Sequence, residues 1–321
     1  MPSSSRPPVG RLAPSPTGRL HLGNAWAFLL AWLAARSRGG RVILRMEDID
    51  PVRARPAFAD QMQRDLEWLG LDWDDGPHFQ SHRLDRYEAA MEDLRRRGQV
   101  YPCYCTRKEL RSLASAPHAG EAGPVYSGVC AALTPEACAA REAQGRLPAW
   151  RLRCPETPVS FTDLRRGRQC VAPASLGDVA LRRSDGVWAY QLAVTVDDAA
   201  MGVTQVVRGE DLLDSTPWQV LLLTLLGAPT PEYLHVPLLV DEAGERLAKR
   251  HGSLELAALR EAGIRAEAVV GWLGHSAGLQ DTPAPVPCPA SALVPRFTHQ
   301  ALPTGAVPTP LDLAACLRSL G

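Results

Sequence analysis

The stretch from Val9 to Asn24, VGRLAPSPTGRLHLGN, constrains this chain more than any other. A short apolar run from Val9 to Ala13 is broken by Pro14 and Pro16, Thr17-Gly18 supplies a turn, and an apolar helical pattern begins near Leu22. Proline lacks an N–H and has a fixed φ, so neither a strand nor a helix continues through that break. The order strand, turn, helix aims the first backbone N–H groups and the positive end of a helix at whatever lies above the strand. Gly23 lets a ligand approach the backbone closely, and His21 adds a movable donor. Phosphate suits such a turn; the alternative is an ordinary strand-to-helix turn with a surface histidine. The spacing from Gly18 to Asn24 is not a P-loop, because Asn24 stands where the lysine of Gly-Lys-Ser/Thr belongs. Positive charge for a phosphate must therefore come from elsewhere.

At 321 residues the chain can bury a sizeable core, and its length suggests two domains with a small insert. No apolar run reaches the ~20 residues needed to span a bilayer. Met1 to Pro8 is polar and proline-rich, without the charged-then-apolar order of a signal peptide. The expectation is a cytoplasmic protein, a monomer, with no membrane partner. Net charge is zero, so nothing global advertises nucleic-acid binding, although a local basic surface is compatible with it. The cations are lopsided: 33 Arg against two Lys, Lys108 and Lys249. A lysine that survives such a bias suggests a task unsuited to guanidinium. The eight cysteines read as thiols or metal ligands rather than a disulfide frame.

The pattern predicts a first helix from about Leu22 to Ser37, apolar almost all round, ended by Gly39-Gly40, then a strand from Arg41 to Glu47. Two strands joined by a helix make a right-handed βαβ unit, and a parallel sheet puts functional residues at the C-terminal ends of its strands. Glu47 sits at such an end. Pro56 opens a helix to about Leu69, Leu71 to Gly76 reads as a turn, and Leu84 to Arg97 as an amphipathic helix. Residues 100–180 read as an insertion between two halves of the sheet domain, with a helix near Pro135 to Gln144 and a β-rich stretch from Trp150 to Leu181. Asp185-Gly186 reads as a hairpin turn. Trp188 to Val207 reads as short apolar strands, and Ser215-Thr216-Pro217 as the cap of a leucine-rich helix. Another strand runs from Leu234 to Val240, a loop follows to His251, and 253–275 read as helical. The proline-rich stretch from Gln280 to Pro310 is expected to wrap the surface, before a short helix from Leu311 to Leu320. The divisions are thus 1–99, 100–180, 181–252 and 253–321.

Three groups of residues carry chemistry. His21 and the helix start need a cationic partner, which Lys249 could supply; it could equally belong to a solvated basic loop with Arg246, Arg250 and His251. Glu47 could pair with an ammonium group, Arg11 and Arg208 could hold carboxylates through forked hydrogen bonds, and Tyr190 could add a hydroxyl. Cys103, Cys105 and Cys130 are three thiols close in sequence; a structural zinc takes four ligands, and the fourth could be Tyr126, His118, Cys138 or water. Three ordinary buried thiols are the alternative.

Taken together, RLAPSPTGRLHLGN (Arg11 to Asn24), LRMEDIDP (Leu44 to Pro51), WAYQLAVTVDD (Trp188 to Asp198), GVTQVVRGEDL (Gly202 to Leu212) and RLAKR (Arg246 to Arg250) resemble the glutamyl-tRNA synthetases in order and spacing. These are class I aminoacyl-tRNA synthetases. The short remainder after the second signature and the C-x-C…Y-x-x-x-C pattern resemble their short branch, the glutamyl-Q tRNA(Asp) synthetases, which have no full anticodon-binding domain. The resemblance implies an α/β, Rossmann-like parallel sheet with a zinc-bearing insert and a short helical C-terminal region. It implies activation of glutamate with ATP and Mg2+, without tRNA, then transfer to queuosine at the wobble position of tRNA(Asp). By the same resemblance His21 and Lys249 are catalytic. Arg11, Leu12, Ala13, Pro14, Ser15, Gly23, Asn24, Glu47, Tyr190, Arg208 and Lys249 bind ATP and glutamate, and Cys103, Cys105, Tyr126 and Cys130 hold one structural zinc per chain. Two departures stand out: Arg246 replaces the lysine that opens the second signature, and Asn24 replaces a histidine in the first. The alternatives are a truncated glutamyl-tRNA synthetase charging the 3′ end of tRNA(Glu), and a catalytically silent synthetase-like regulator.

Overall fold

The computed structural model describes residues 6–106, 108–110, 126, 128–245, 247 and 254–320. In chain order, the first half holds β1 (Val9–Leu12), α1 (Leu22–Arg36), β2 (Arg41–Met46), α2 (Pro56–Trp68), β3 (Asp75–Phe79) and α3 (Leu84–Arg96). Next come β4 (Val100–Cys103), α4 (Pro135–Ala143), β5 (Ala149–Leu152), β6 (Val159–Asp163), β7 (Gly167–Val171) and β8 (Ala180–Arg182). The chain returns through α5 (Tyr190–Ala200), β9 (Gln205–Gly209), α6 (Thr216–Leu225), β10 (Glu232–Val236) and β11 (Leu239–Val240). It finishes with α7 (Leu256–Glu261), α8 (Ala266–Ser276), α9 (Ala290–Leu293), β12 (Val307–Pro308) and α10 (Leu313–Ser319).

β1 and β2 pair in parallel, with Arg11 opposite Ile43, and β2 pairs in parallel with β3. β9 comes back on the other side of β1: the Thr204 N–H donates to Val9 O (3.0 Å) and the Val9 N–H to Thr204 Oγ1 (2.9 Å). β10 continues in parallel beyond β9, with Arg208 opposite His235. The strand order β3-β2-β1-β9-β10 therefore reverses direction of growth between β1 and β9. That is the switch point at which doubly wound sheets leave a crevice above the strand ends.

Strand side chains alternate between two faces. Leu12, Val42, Leu44, Met46, Val207, Leu234 and Val236 share one apolar core with α1. The opposite parity carries Arg11, Ile43, Arg45, Val206, Arg208, Tyr233 and His235, facing residues of α5 and α6. Charged or polar side chains thus occupy a buried face of four neighbouring strands, which costs free energy unless each is paired or hydrogen-bonded.

Several elements differ from the sequence reading. Residues 190–200 form a helix, not strands. The run YQLAVTV has strand-like residues, yet it buries Leu192 through Asp198 against α3, α6 and the sheet, and packing overrides propensity. β3 begins at Asp75, inside the predicted turn; DGPHF has no apolar alternation, and Pro77 is tolerated because the strand lies at the sheet edge. The predicted strand from Leu234 to Val240 is two strands, broken at Pro237 and Leu238. Ser215 makes no side-chain cap to α6. The 100–180 segment is not separate throughout: the β6–β7 hairpin joins the main sheet, with Asp163 opposite Tyr233 on β10, while β4, β5 and β8 form their own antiparallel sheet. The proline-rich stretch does not merely wrap the surface. Ala290, Leu293, Leu302 and Val307 enter the core shared with α1, and β12 pairs with β11. Gly271 permits this docking, since a Cβ there would lie 2.3 Å from Val286 O. Among the described residues, no helix is long and apolar enough to cross a membrane.

Candidate active site

A cavity of about 420 Å³ lies above the switch point. Ala13, Pro14 and Ser15 reach it from the turn after β1; His21, Gly23 and Asn24 from the start of α1. Glu47 enters just past β2, Tyr190 from the first turn of α5, and Arg11 and Arg208 from β1 and β9. Most of the predicted binding residues therefore share one pocket. Leu12 does not point into it; its side chain is buried in the core with α1, as strand alternation requires. Lys249 lies outside the described residues, as do Arg246, Arg250, His251 and His118.

The helix start is built differently from the sequence expectation of unengaged N–H groups. His21 is the N-cap of α1: its Nδ1 accepts the Gly23 N–H (3.1 Å), and Asn24 Oδ1 accepts the His21 N–H (3.0 Å). This is a capping box in which Asn24 has a specific task, so its departure from histidine is structurally accounted for. The hydrogen-bond network assigns Nδ1 as acceptor, which puts the proton of the neutral ring on Nε2. The turn is buttressed from far along the chain. His21 bridges Glu255, the Leu256 N–H donates to Leu20 O (2.9 Å), and Arg19 pairs with Glu255 (3.4 Å). Leu247 also lines the cavity. One residue of the second signature, Leu247, and the residues just after it, Glu255 and Leu256, thus lie against the first.

On the polar face, Arg45 is fully buried; its Nη1 donates to Asp198 Oδ1 (2.7 Å) and its Nη2 to Glu47 Oε1 (3.2 Å). Ser15 Oγ donates to Glu47 Oε2 (3.4 Å), and the Glu47 N–H donates to Pro14 O (2.9 Å). Burial pushes the Glu47 carboxyl above the ordinary range, against the pull of Arg45 and Arg11. Arg11 Nη1 donates to Val207 O (3.0 Å) and its Nε lies 3.6 Å from Asp198. Burial lowers the Arg11 pKa, with Asp198 opposing. Burial also raises the Tyr190 pKa, which keeps its hydroxyl protonated and able to donate. Asp197, fully buried, accepts from Gln80 Nε2 (2.9 Å), Arg83 Nε (2.6 Å) and Tyr87 OH (2.8 Å).

Arg208 stands apart. It is 5% exposed and donates to Gln219 Oε1 (2.8 Å), Thr216 Oγ1 (2.8 Å), His235 Nε2 (3.1 Å) and Leu212 O (3.4 Å). Among the described residues every acceptor is neutral, and no carboxylate pairs with it. Arg45, Asp197, Asp198, Asp163 and His235 escaped the motif reading. The available signal was a charged or polar side chain in the middle of a strand expected to be buried.

A second cluster lies in the 100–180 segment. The sulfurs of Cys103, Cys105 and Cys130 fall within 4.8 Å of one another. Tyr126 OH is 3.3 Å from Cys103 Sγ and 3.8 Å from Cys105 Sγ. The Cys130 N–H donates to the same phenol oxygen (3.0 Å), and the Arg151 guanidinium lies 3.9 Å from the ring centroid. With Zn–S near ~2.3 Å, tetrahedral ligand atoms sit roughly 3.5–4 Å apart, so three sulfurs and one oxygen at these separations fit a zinc ion.

A doubly wound parallel sheet with a pocket at its switch point and an imidazole-capped helix start forms an α/β domain whose crevice lies where such sheets bind ligands. The chain belongs to the class I tRNA synthetases (E and Q), whose catalytic-domain family matches residues 9–279. It is 56% identical to the Glutamyl-Q tRNA(Asp) synthetase of Nitratidesulfovibrio vulgaris, over 95% of this chain and 96% of that protein. It is 47% identical to Glutamate--tRNA ligase 2 of Alkalilimnicola ehrlichii, over 83% of this chain and 57% of that protein. Among solved structures, a glutamate tRNA ligase from Elizabethkingia meningosepticum in complex with its amino acid superposes with a TM-score of 0.81. That match has 25% identity and covers 97% of this chain and 69% of the other.

Proposed function

We propose that this protein is a ligase that activates glutamate with ATP, without tRNA, and transfers the glutamyl group to queuosine at the wobble position of tRNA(Asp). The observation that carries the reading is the near full-length match, 56% identical, to a relative named for this activity. The glutamate tRNA ligase relative is matched over little more than half its length.

In the first step a glutamate carboxylate oxygen attacks the α-phosphorus of ATP; the new P–O bond forms as the bond to pyrophosphate breaks. The protein's contribution is electrostatic, because negative charge develops on the phosphoryl oxygens and the leaving group. His21, with its proton on Nε2 while Nδ1 is held by Gly23, is suited to donate to such oxygens. Lys249 supplies the compensating cation by resemblance, supported by the bridge of Glu255 to His21 and by Leu247, which lines the same cavity as His21. Mg2+ accompanies the triphosphate. Arg208 receives the substrate side-chain carboxylate, since a buried cation with only neutral partners gains most from an anionic ligand. Glu47 accepts from the ammonium group, with Arg11, Ser15 and Tyr190 completing the glutamate and nucleotide pocket. Cys103, Cys105, Cys130 and Tyr126 hold one structural zinc, which would tie β4 to the segment after it.

The test is glutamate-dependent ATP–pyrophosphate exchange without tRNA, followed by transfer of labelled glutamate to tRNA(Asp) with and without queuosine. Exchange without tRNA, and transfer only to the queuosine-containing RNA, are expected. Transfer to the 3′ end of tRNA(Glu) overturns the choice of acceptor, and absence of any adenylate overturns the enzyme assignment.

A further inference from the structure

Arg208 is not held by its neighbours alone. Its Nε donates to His235 Nε2 (3.1 Å), the residue opposite it on β10. His235 is fully buried, and its other ring nitrogen lies 2.7 Å from Asp163 Oδ2, which also accepts the His235 backbone N–H (2.9 Å). The second oxygen of Asp163 accepts the backbone N–H groups of Arg165 (2.9 Å) and Arg166 (2.8 Å).

This arrangement permits one proton placement. Asp163 accepts three backbone N–H groups, from Arg165, Arg166 and His235, and an ionised carboxylate can only accept, so the imidazole nitrogen facing it, Nδ1, carries the proton. Nε2 is then a lone pair, which faces both Arg208 Nε (3.1 Å) and the Thr216 hydroxyl (3.1 Å). An imidazolium would turn a donor toward the guanidinium, and burial together with the neighbouring Arg208 holds the His235 pKa below its ordinary value. Tyr233 closes the other side: its ring stacks on His235 at 9° and lies 5.6 Å from the Arg208 guanidinium carbon. With Gln219, Thr216 and Leu212 as the further acceptors, the guanidinium fork is fixed on three edges, and one of its five N–H groups, on Nη1, keeps no partner among the described residues.

We propose that Asp163 and His235 form a buried relay that orients Arg208 toward the substrate carboxylate, making both of them positioning residues for amino-acid selection. The inference rests on the reading of Arg208 given above. It also assigns a task to the 100–180 segment: β6 reaches the main sheet with its last residue, Asp163, and so ties that segment to the pocket.

A relay acts through an acceptor atom, which distinguishes it from a brace between strands. His235→Phe keeps an aromatic ring but removes the acceptor, whereas His235→Gln can return an oxygen to the position of Nε2. In pyrophosphate exchange, His235→Phe is expected to raise the glutamate KM about ten- to hundredfold, the cost of unmaking one hydrogen bond to a charged group. The ATP KM should stay within about twofold, and His235→Gln should recover most of the loss. Asp163→Ala should raise the glutamate KM in the wild-type background and add little to His235→Phe, because it acts through the ring. Equal loss in His235→Phe and His235→Gln, parallel movement of the ATP KM, or no effect overturns the relay. Arg208→Leu is the control on the underlying reading. If it leaves the glutamate KM unchanged, that reading fails; if it raises the KM while the His235 variants do not, the relay alone fails. Should the variants not fold, 15N NMR of the wild-type histidines still decides: a neutral His235 protonated on Nδ1 is expected, and an Nε2-protonated or doubly protonated ring overturns the proposal.

Discussion

Replacing Arg45 with methionine removes the central cation of the polar sheet face while keeping an unbranched side chain of similar reach. The structure sets the size of the effect. Asp198 loses its 2.7 Å partner and Glu47 its 3.2 Å partner, both in surroundings with little water. Asp197 keeps Gln80, Arg83 and Tyr87, and Asp198 keeps Arg11 at 3.6 Å. Removing one member of a buried ion pair costs about 3–5 kcal/mol, because the partner stays desolvated. The surviving contacts place Arg45→Met near the lower end, about 3 kcal/mol. With a urea m-value of roughly 3 kcal/mol/M, the midpoint falls by about 1 M. The pH dependence has a definite sign. Glu47 already has a raised folded-state pKa, chiefly from burial. A raised acid contributes stability that is fully present below its unfolded pKa and is lost as pH rises through the folded value. Losing Arg45 raises Glu47 further, so the deficit should be small near pH 5 and grow toward pH 8. Urea unfolding followed by tryptophan fluorescence at both pH values measures it. A deficit below about 1 kcal/mol at pH 8, or one larger at pH 5 than at pH 8, refutes the assignment of Arg45 as the counter-ion of Glu47 and Asp198.

Three further outcomes follow from the two sites. In Gly23→Ala the new Cβ would stand 3.0 Å from His21 Cε1 and Nδ1, so the imidazole must shift by a few tenths of an ångström and its cap to the Gly23 N–H is strained; pyrophosphate exchange should fall about tenfold, with a stability loss of no more than about 1 kcal/mol, and unaltered exchange would count against His21. Metal analysis of the purified protein should find close to one zinc per chain, with protons released on rebinding, since burial pushes the Cys105 thiol up to about 12 and bound thiols must ionise. Cys130→Ser should lose the metal, and retention of full zinc there would remove Cys130 from the ligand set.

The legible parts of the sequence were those with local punctuation. Pro14, Pro16 and Gly39-Gly40 bracket β1, α1 and β2 so closely that the βαβ unit needed no tertiary information. Tyr190 to Ala200 was misread because its β-branched residues suit a strand; only the packing of Leu192, Ala193 and Val196 against α3 and α6 makes it a helix. The site divides in the same way. Arg11, Glu47, Tyr190 and Arg208 came from motifs, whereas Arg45, Asp163, Asp197, Asp198 and His235 owe their meaning to partners on elements distant in sequence. Asp163 and His235 are far apart in sequence, and only the β6–β10 ladder brings them together. No period or spacing encodes such a pair.

The parity of the strands explains why stability and site chemistry are hard to separate here. One face of β1, β2, β9 and β10 is dry and packed on α1, which fixes the register of every strand, because a one-residue slip would drive charges into that core. Register in turn fixes which side chains meet on the other face: Arg208 lies opposite His235 because Leu234 and Val236 must face α1. The apolar core therefore positions the polar network without touching it. Arg11 and Arg45 find carboxylates within the fold, while Arg208 reaches Asp163 only through an imidazole. A carboxylate brought directly to Arg208 would have held the pocket shut to anions; placing a neutral ring between them keeps the guanidinium oriented and leaves its charge to be matched by a ligand.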